Sequence, residues 1–356
     1  MHYTLYIGCY GDNLLRLRME PDKGAWAVET GRASVHHSSY LASDSQCIYA
    51  ITEAGNNSLL SAFGKESLHL INRTAEVQPD PCYLICHNKR LLTANYTGGN
   101  ISLFPILQNG AIGTPLHTPK ECGSGPEQRR QRAAHIHSLQ VLEESAPDGA
   151  PCTFIVAADL GSDRLRLYRA LLGSDGEIEG IVANSPSSCS VPPGSGPRHF
   201  AIHKGLKMIY LLNEISGSII SFRYSIVRGE AAEWNLQLAY IEEIATEQTG
   251  AQASADIHLS PDGRFLYSSN RNIEDGIVHY EIAPDGTLIR RGFTPTAKHP
   301  RNFAITPCGE YMVVACKNSN ALQLFRRNLQ SGTLTKMWED FHTGGNEPVC
   351  IVIEAD

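Results

Sequence analysis

The sequence has no surplus of basic residues: 30 Lys and Arg stand against 37 Asp and Glu, for a formal net charge of −7. Bulk binding to a nucleic-acid backbone, which needs clustered cations, is therefore disfavoured. Charged residues are only 19% of the chain and hydrophobic ones 42%, a composition foreign to disordered, fibrous and membrane proteins. The opening MHYTLYIGCYG lacks a basic lead and a long apolar stretch and passes directly into strand-like alternation. No secretion signal is read there, no membrane partner is expected, and the expected location is cytoplasmic.

Clustered metal ligands are missing too. The ten cysteines are scattered, with Cys82 and Cys86 as the one close pair, and a chain of this length needs no disulfide staples. Reduced thiols packed in strands are expected, and no metal. His135 and His137, two apart on a strand, would point the same way, but no third close ligand accompanies them. A nucleophile elbow, a Walker loop and a dinucleotide-binding glycine fingerprint are likewise absent in any strand–turn–helix setting, so no organic cofactor is implied.

What is present is a repeat of 40 to 50 residues, the period of solenoids and propellers. PRHFAIHKGLKMIYLLNE (197–214), SADIHLSPDGRFLYSSNR (254–271) and PRNFAITPCGEYMVVACK (300–317) are each an apolar strand, a tight polar turn and a second apolar strand. Weaker copies lie at 38–53, 81–96 and 136–161, and each hairpin is followed by a third and a fourth strand. Four strands per unit is the blade of a propeller. Residues 4–29 supply strands two to four of a blade, and EPVCIVIEAD at the other end supplies only a first strand. Joined, they make seven: the expectation is an all-β, seven-bladed propeller of four-stranded antiparallel blades, one domain over 1–356, closed by pairing of the N- and C-terminal strands. Strand alternation alone would also fit a sandwich, whereas helical solenoids fail because the apolar positions alternate.

In such hairpins the start of strand one and the end of strand two share one end of the blade. Starting positions read Cys82, His137, Arg198, Ala255, Arg301 and Val349; ending positions read Tyr10, Glu53, Tyr96, Asp159, Glu214, Arg271 and Lys317. Charges of both signs thus converge on one channel mouth, a candidate site for a small anion. Before His137, GSGPEQRRQRAA has no strand pattern and is expected as a long loop near that mouth, with Arg129, Arg130 and Arg132 either clamping an anion or solvating the loop.

GPRHFAI, YLLNE, HIHS, LSPDGRFLYSSNR, HPRNFAI and EPVCIVI together resemble the propeller lactonase family, which includes propeller-type 6-phosphogluconolactonases and fungal 3-carboxy-cis,cis-muconate lactonizing enzymes. The likeness spans nearly all blades and is most specific in GPRH, NE and SNR. It implies a seven-bladed fold and an active site of His137, Arg198, Glu214 and Arg271 at the channel mouth. On that footing His137 is expected to act as general base with Glu214 orienting it or as an alternative base, while Arg198 and Arg271 stabilise an oxyanion. Arg301 and Lys317 are expected to hold an anionic group, with His135, His199 and Asp159 as further substrate contacts. Asn302, where the earlier blade has His199, and the insertion LEESAPDGAPC depart from the pattern. Lactonization of a muconate is the alternative activity, and a non-catalytic propeller binding a small anion or a protein the alternative class.

Overall fold

The computed structural model describes residues 2–230, 232–246 and 253–356. It contains seven antiparallel sheets, each with a path of four strands. Blade I joins Pro348–Ala355 to Tyr3–Cys9, Asn13–Met19 and Ala27–Ser34, with Tyr3 opposite Ala355 and Gly8 opposite Cys350. The terminal strands therefore close the ring. The first strands of the other six blades are Ser38–Ser43, Pro81–His87, Ile136–Ser145, Pro197–His203, Ser254–Leu259 and Pro300–Ile305, for blades II to VII in order. Every neighbouring pair of first strands is in contact around the ring, so these strands line a common channel.

The sequence pattern tracks position in the blade. Second strands such as Cys47–Thr52, Met208–Asn213, Phe265–Asn270 and Tyr311–Cys316 are buried at every residue, because neighbouring blades cover both faces. Leu288–Pro295, an outermost strand, alternates buried with exposed positions. The apolar core is accordingly split into seams between adjacent blades. One seam packs Phe154, Leu167 and Phe200 together across blades IV and V, and another packs Tyr210, Leu266 and Tyr280 across blades V and VI. Burial of each such side chain stabilises by about 1.5–3 kcal/mol. Tyrosines latch the seams: Tyr210 OH donates to the Gly286 carbonyl at 2.9 Å and Tyr267 OH to that of Gly332 at 2.7 Å, each in the next blade's outer turn.

Candidate functional site

One local device recurs in all seven blades and builds the channel mouth. Each first strand carries one extra residue near the end that faces this mouth: the register skips between Ser38 and Tyr40, Pro81 and Tyr83, Ile136 and Ser138, Pro197 and His199, Ser254 and Ile257, Pro300 and Asn302, and beside Val349. A bulge re-aims the side chain it carries. In a regular strand Arg198 and His199 would face opposite ways; here both meet the neighbouring first strand, Arg198 through the Ala255 carbonyl and His199 through Asp256. The chain enters five of these bulges through a residue with φ between 48° and 66°: His37, Asp80, Gly196, His299 and Glu347. Four of the five are not glycine, so the mouth stores backbone strain of about 1 kcal/mol or more at each.

At the mouth, Glu214 is the hub. Its Oε2 accepts from Arg198 Nη1 at 2.6 Å, its Oε1 from Arg130 Nη1 at 3.0 Å, and Arg271 Nη2 lies 3.6 Å from Oε1. Arg198 Nη1 is also 2.5 Å from His137 Nε2, and His137 Nε2 is 3.8 Å from Glu214 Oε2. A guanidinium can only donate, so His137 Nε2 is an acceptor there. Burial, then the Arg198 and His199 neighbours, hold His137 well below the usual imidazole range, so it is neutral at pH 7. Burial alone would raise the Glu214 carboxyl, but Arg198, Arg271 and Arg130 outweigh it and hold the group well below its ordinary value. Arg271 is pressed down to about 9 by burial and by Arg198, and its Nε and Nη2 are tied to the Ala253 and Ser254 carbonyls.

Arg301 enters the same mouth from blade VII. Its Nη2 donates to Tyr10 OH at 2.5 Å, its guanidinium lies 5.0 Å from the Tyr10 ring centre, and Tyr10 OH donates to Glu53 at 3.2 Å. Lys317 Nζ is 5.3 Å from the other side of this environment, the Tyr10 ring centre, and 3.3 Å from Glu347. Within this contact group the guanidiniums of Arg130, Arg198, Arg271 and Arg301 meet two carboxylates, Glu214 directly and Glu53 through Tyr10, a local surplus of positive charge.

Two cavities open here. One of about 610 Å³ is lined by Tyr10, Glu53, Asp80, Tyr96, Lys317 and Glu347 among others. The second, about 350 Å³, is lined by Glu127, Arg129, Arg130, Glu214, Arg271 and Asn272 among others. The segment 119–134 borders the mouth, where its Glu127, Arg129 and Arg130 line the smaller cavity. It is anchored by buried Gln131, whose Nε2 donates to the Leu160 carbonyl and to Asp163, and by the Cys122 carbonyl, which accepts from Arg166.

One layer deeper in the channel lies a second carboxylate, Asp256. It accepts from His199 Nδ1 at 2.8 Å, His258 Nε2 at 2.9 Å, Asn302 Nδ2 at 2.5 Å and the backbone N–H groups of Ile257 and Phe303. Burial lowers His199 to about 4, whereas Asp256 overrides burial to raise His258.

A profile described as "Lactonase, 7-bladed beta-propeller" matches residues 4–353. The chain belongs to this lactonase family. It is 34% identical over 261 residues to the 6-phosphogluconolactonase of Formosa agariphila, covering 72% of this chain and 69% of the relative, and 27% identical over 348 residues to that of Bacillus subtilis, covering 94% and 93%. Among solved structures, the periplasmic gluconolactonase of Pseudomonas aeruginosa superposes with a TM-score of 0.84 at 25% identity, over 100% of this chain and 99% of that one. In the described residues of this lactonase-family chain, no helix is long and apolar enough to cross a membrane.

The structure gathers His137, Arg198, Glu214 and Arg271 into one contact group and sets Arg301 beside it. Three other expected substrate contacts lie outside this group. Asp159 is fully buried and saturated: it accepts from Arg166 at 2.8 and 3.0 Å, from Ser162 Oγ, and from backbone N–H groups including that of His135. His199 turns away from the mouth to Asp256. His135 precedes the strand and lies flat on Tyr96, ring centres 4.2 Å apart, with Nδ1 on the Tyr96 carbonyl. The bulge after Ile136 breaks the alternation that would have aimed it with His137. Arg130, left between clamp and solvation, reaches Glu214, and Asp256 was missed altogether; its place beside the bulge, in SADIH where the other blades read PRHF and PRNF, was the available signal.

Proposed function

We propose that the protein hydrolyses a small anionic sugar lactone, 6-phosphogluconolactone being the substrate its relatives' names point to, as one propeller domain acting in the cytoplasm. The observation that carries this reading is three guanidiniums and a neutral imidazole gathered around a single shared carboxylate at a channel mouth, with a fourth guanidinium beside them on Tyr10. Such a site has cations to spare for an anion and an unprotonated base beside them.

In the proposed reaction Arg198 and Arg271 donate to the lactone carbonyl oxygen, which draws Arg198 Nη1 away from His137 Nε2. A water then lies between His137 Nε2 and Glu214. His137 takes its proton as the oxygen attacks the carbonyl carbon, and the two arginines hold the resulting oxyanion. The ring C–O bond breaks, and the leaving oxygen receives the proton from His137. The net change is lactone plus water to hydroxy acid, which ionises to the carboxylate. Glu214, 3.8 Å from His137 Nε2, stabilises the transient imidazolium, and Arg301 and Lys317 add to the positive field that draws the anionic substrate to the mouth.

The test is to follow acid release from 6-phosphogluconolactone, with 3-carboxy-cis,cis-muconate absorbance followed in parallel. Acceleration of the first by wild type, lost in His137→Ala, is expected. Consumption of the muconate alone would replace lactone hydrolysis with lactonization, and binding of either without turnover would make the protein a non-catalytic anion receptor.

A further inference from the structure

Three arginines meet Glu214, and they are not held alike. Arg198 and Arg271 have side chains only 5% exposed and are tethered to backbone carbonyls of the neighbouring first strand and its approach. Arg130 is 41% exposed, and among the described residues its guanidinium bonds to Tyr96 OH, at 3.2 Å, and to Glu214. Its backbone, in contrast, is pinned. The adjacent Gln131 is bound to Asp163, whose carboxylate also accepts from the N–H groups of Gly194 and Gly196, the turn that feeds Arg198. Among the described residues the side chain is thus the least tethered of the cations on Glu214, delivered by a fixed backbone.

Its position matters as much as its freedom. Tyr96 lines the larger cavity, while Arg130 and Glu214 line the smaller, so the guanidinium stands between the two, next to Arg129. The larger cavity sets three carboxylates, Glu53, Asp80 and Glu347, against Lys317, with Arg301 held on Tyr10, and suits hydroxyl groups better than a second anion. The smaller one holds Arg129, Arg130 and Arg271 against Glu127 and Glu214, and suits a phosphate or carboxylate.

We propose, on the lactonase reading of this site, that Arg130 is its specificity-determining residue and couples the substrate's remote anionic group to Glu214. In the free protein Arg130 occupies Oε1 of Glu214 while Arg198 holds Oε2. An anion in the smaller cavity draws the guanidinium off Oε1, and the carboxylate, with one cation fewer, becomes a better acceptor for the water or for the His137 imidazolium. A neutral lactone leaves Arg130 in place and the carboxylate occupied.

The experiment compares a phosphorylated sugar lactone with its unphosphorylated analogue in wild type, Arg130→Gln and Arg130→Lys. Wild type is expected to favour the phosphorylated lactone by at least about tenfold in kcat/KM, within the range of a charge-assisted contact. In Arg130→Gln that substrate falls about 30-fold while the neutral lactone rises about threefold, because Glu214 is released permanently; Arg130→Lys lies between. Calorimetry with 6-phosphogluconate and gluconate gives a readout that needs no turnover: only the phosphorylated acid should weaken in Arg130→Gln. A fall by one common factor for both lactones, or no change for the phosphorylated one, would overturn the coupling and leave the lactonase reading standing. Wild type inert toward both lactones would overturn the two together.

Discussion

Two buried carboxylates sit one layer apart in the same channel, and they are satisfied in opposite ways. Asp256 collects five donors, none of them a guanidinium, and each donor has its acceptor. Glu214 is met by three guanidiniums and a neutral imidazole, with a fourth guanidinium nearby on Tyr10. Burial is common to both. Charge balance separates them: the lower group is closed upon itself, whereas the upper one is left short of negative charge that a ligand can supply.

The sharpest way to break this contrast is at its upper member. His137→Ala is expected to lower kcat by about 10²–10⁴-fold with little change in KM, because the lost group acts in the transition state. Thermal melting should show a far smaller effect than turnover does; equal losses in both would make the mouth merely structural. Asp256→Ala should behave the other way round, since it strands His199, His258 and Asn302. A loss of about 3–5 kcal/mol in stability is expected by denaturant unfolding.

The acid side of the stability profile sharpens the contrast further. His199 is held at about 4 by burial, against about 6.5 in an unfolded chain. Below pH 6.5 the unfolded state therefore binds a proton that the native state refuses, and stability falls as pH drops from about 6.5 to 4, by on the order of 3 kcal/mol for this group. His137, also held low, adds to this loss. His258, raised by Asp256, does not offset this decline: its contribution is already full below about 6.5 and fades only at higher pH. Melting temperatures across pH 4–7 should decline toward acid, with a shallower decline in His199→Gln. Among the cations, Arg301→Ala should raise KM about tenfold. The smallest effect is expected for Lys317→Ala, under about threefold in kcat/KM, because its ammonium already pairs with half-exposed Glu347.

Reading the repeat was enough to align Arg198, Arg271 and Arg301 on one ring, because a bulge that recurs at one offset preserves the offset. The same bulge defeated the reading of His135 and His199. Two-residue alternation predicts one side for 135 and 137 and opposite sides for 198 and 199, and an inserted residue reverses that expectation. Asp159 looked like its ring neighbours in sequence, but Arg166, seven residues on, absorbs it locally.

What the sequence by itself determined was the repeating strand pattern and the split final blade, since alternation, turns and offsets are local properties that each blade carries whole. Which charges are neutralised and which remain in surplus was decided only by the tertiary structure. Glu214 meets Arg130 across 84 positions and His137 across 77, and electrostatic balance depends on distances that the closed ring creates and no single blade contains.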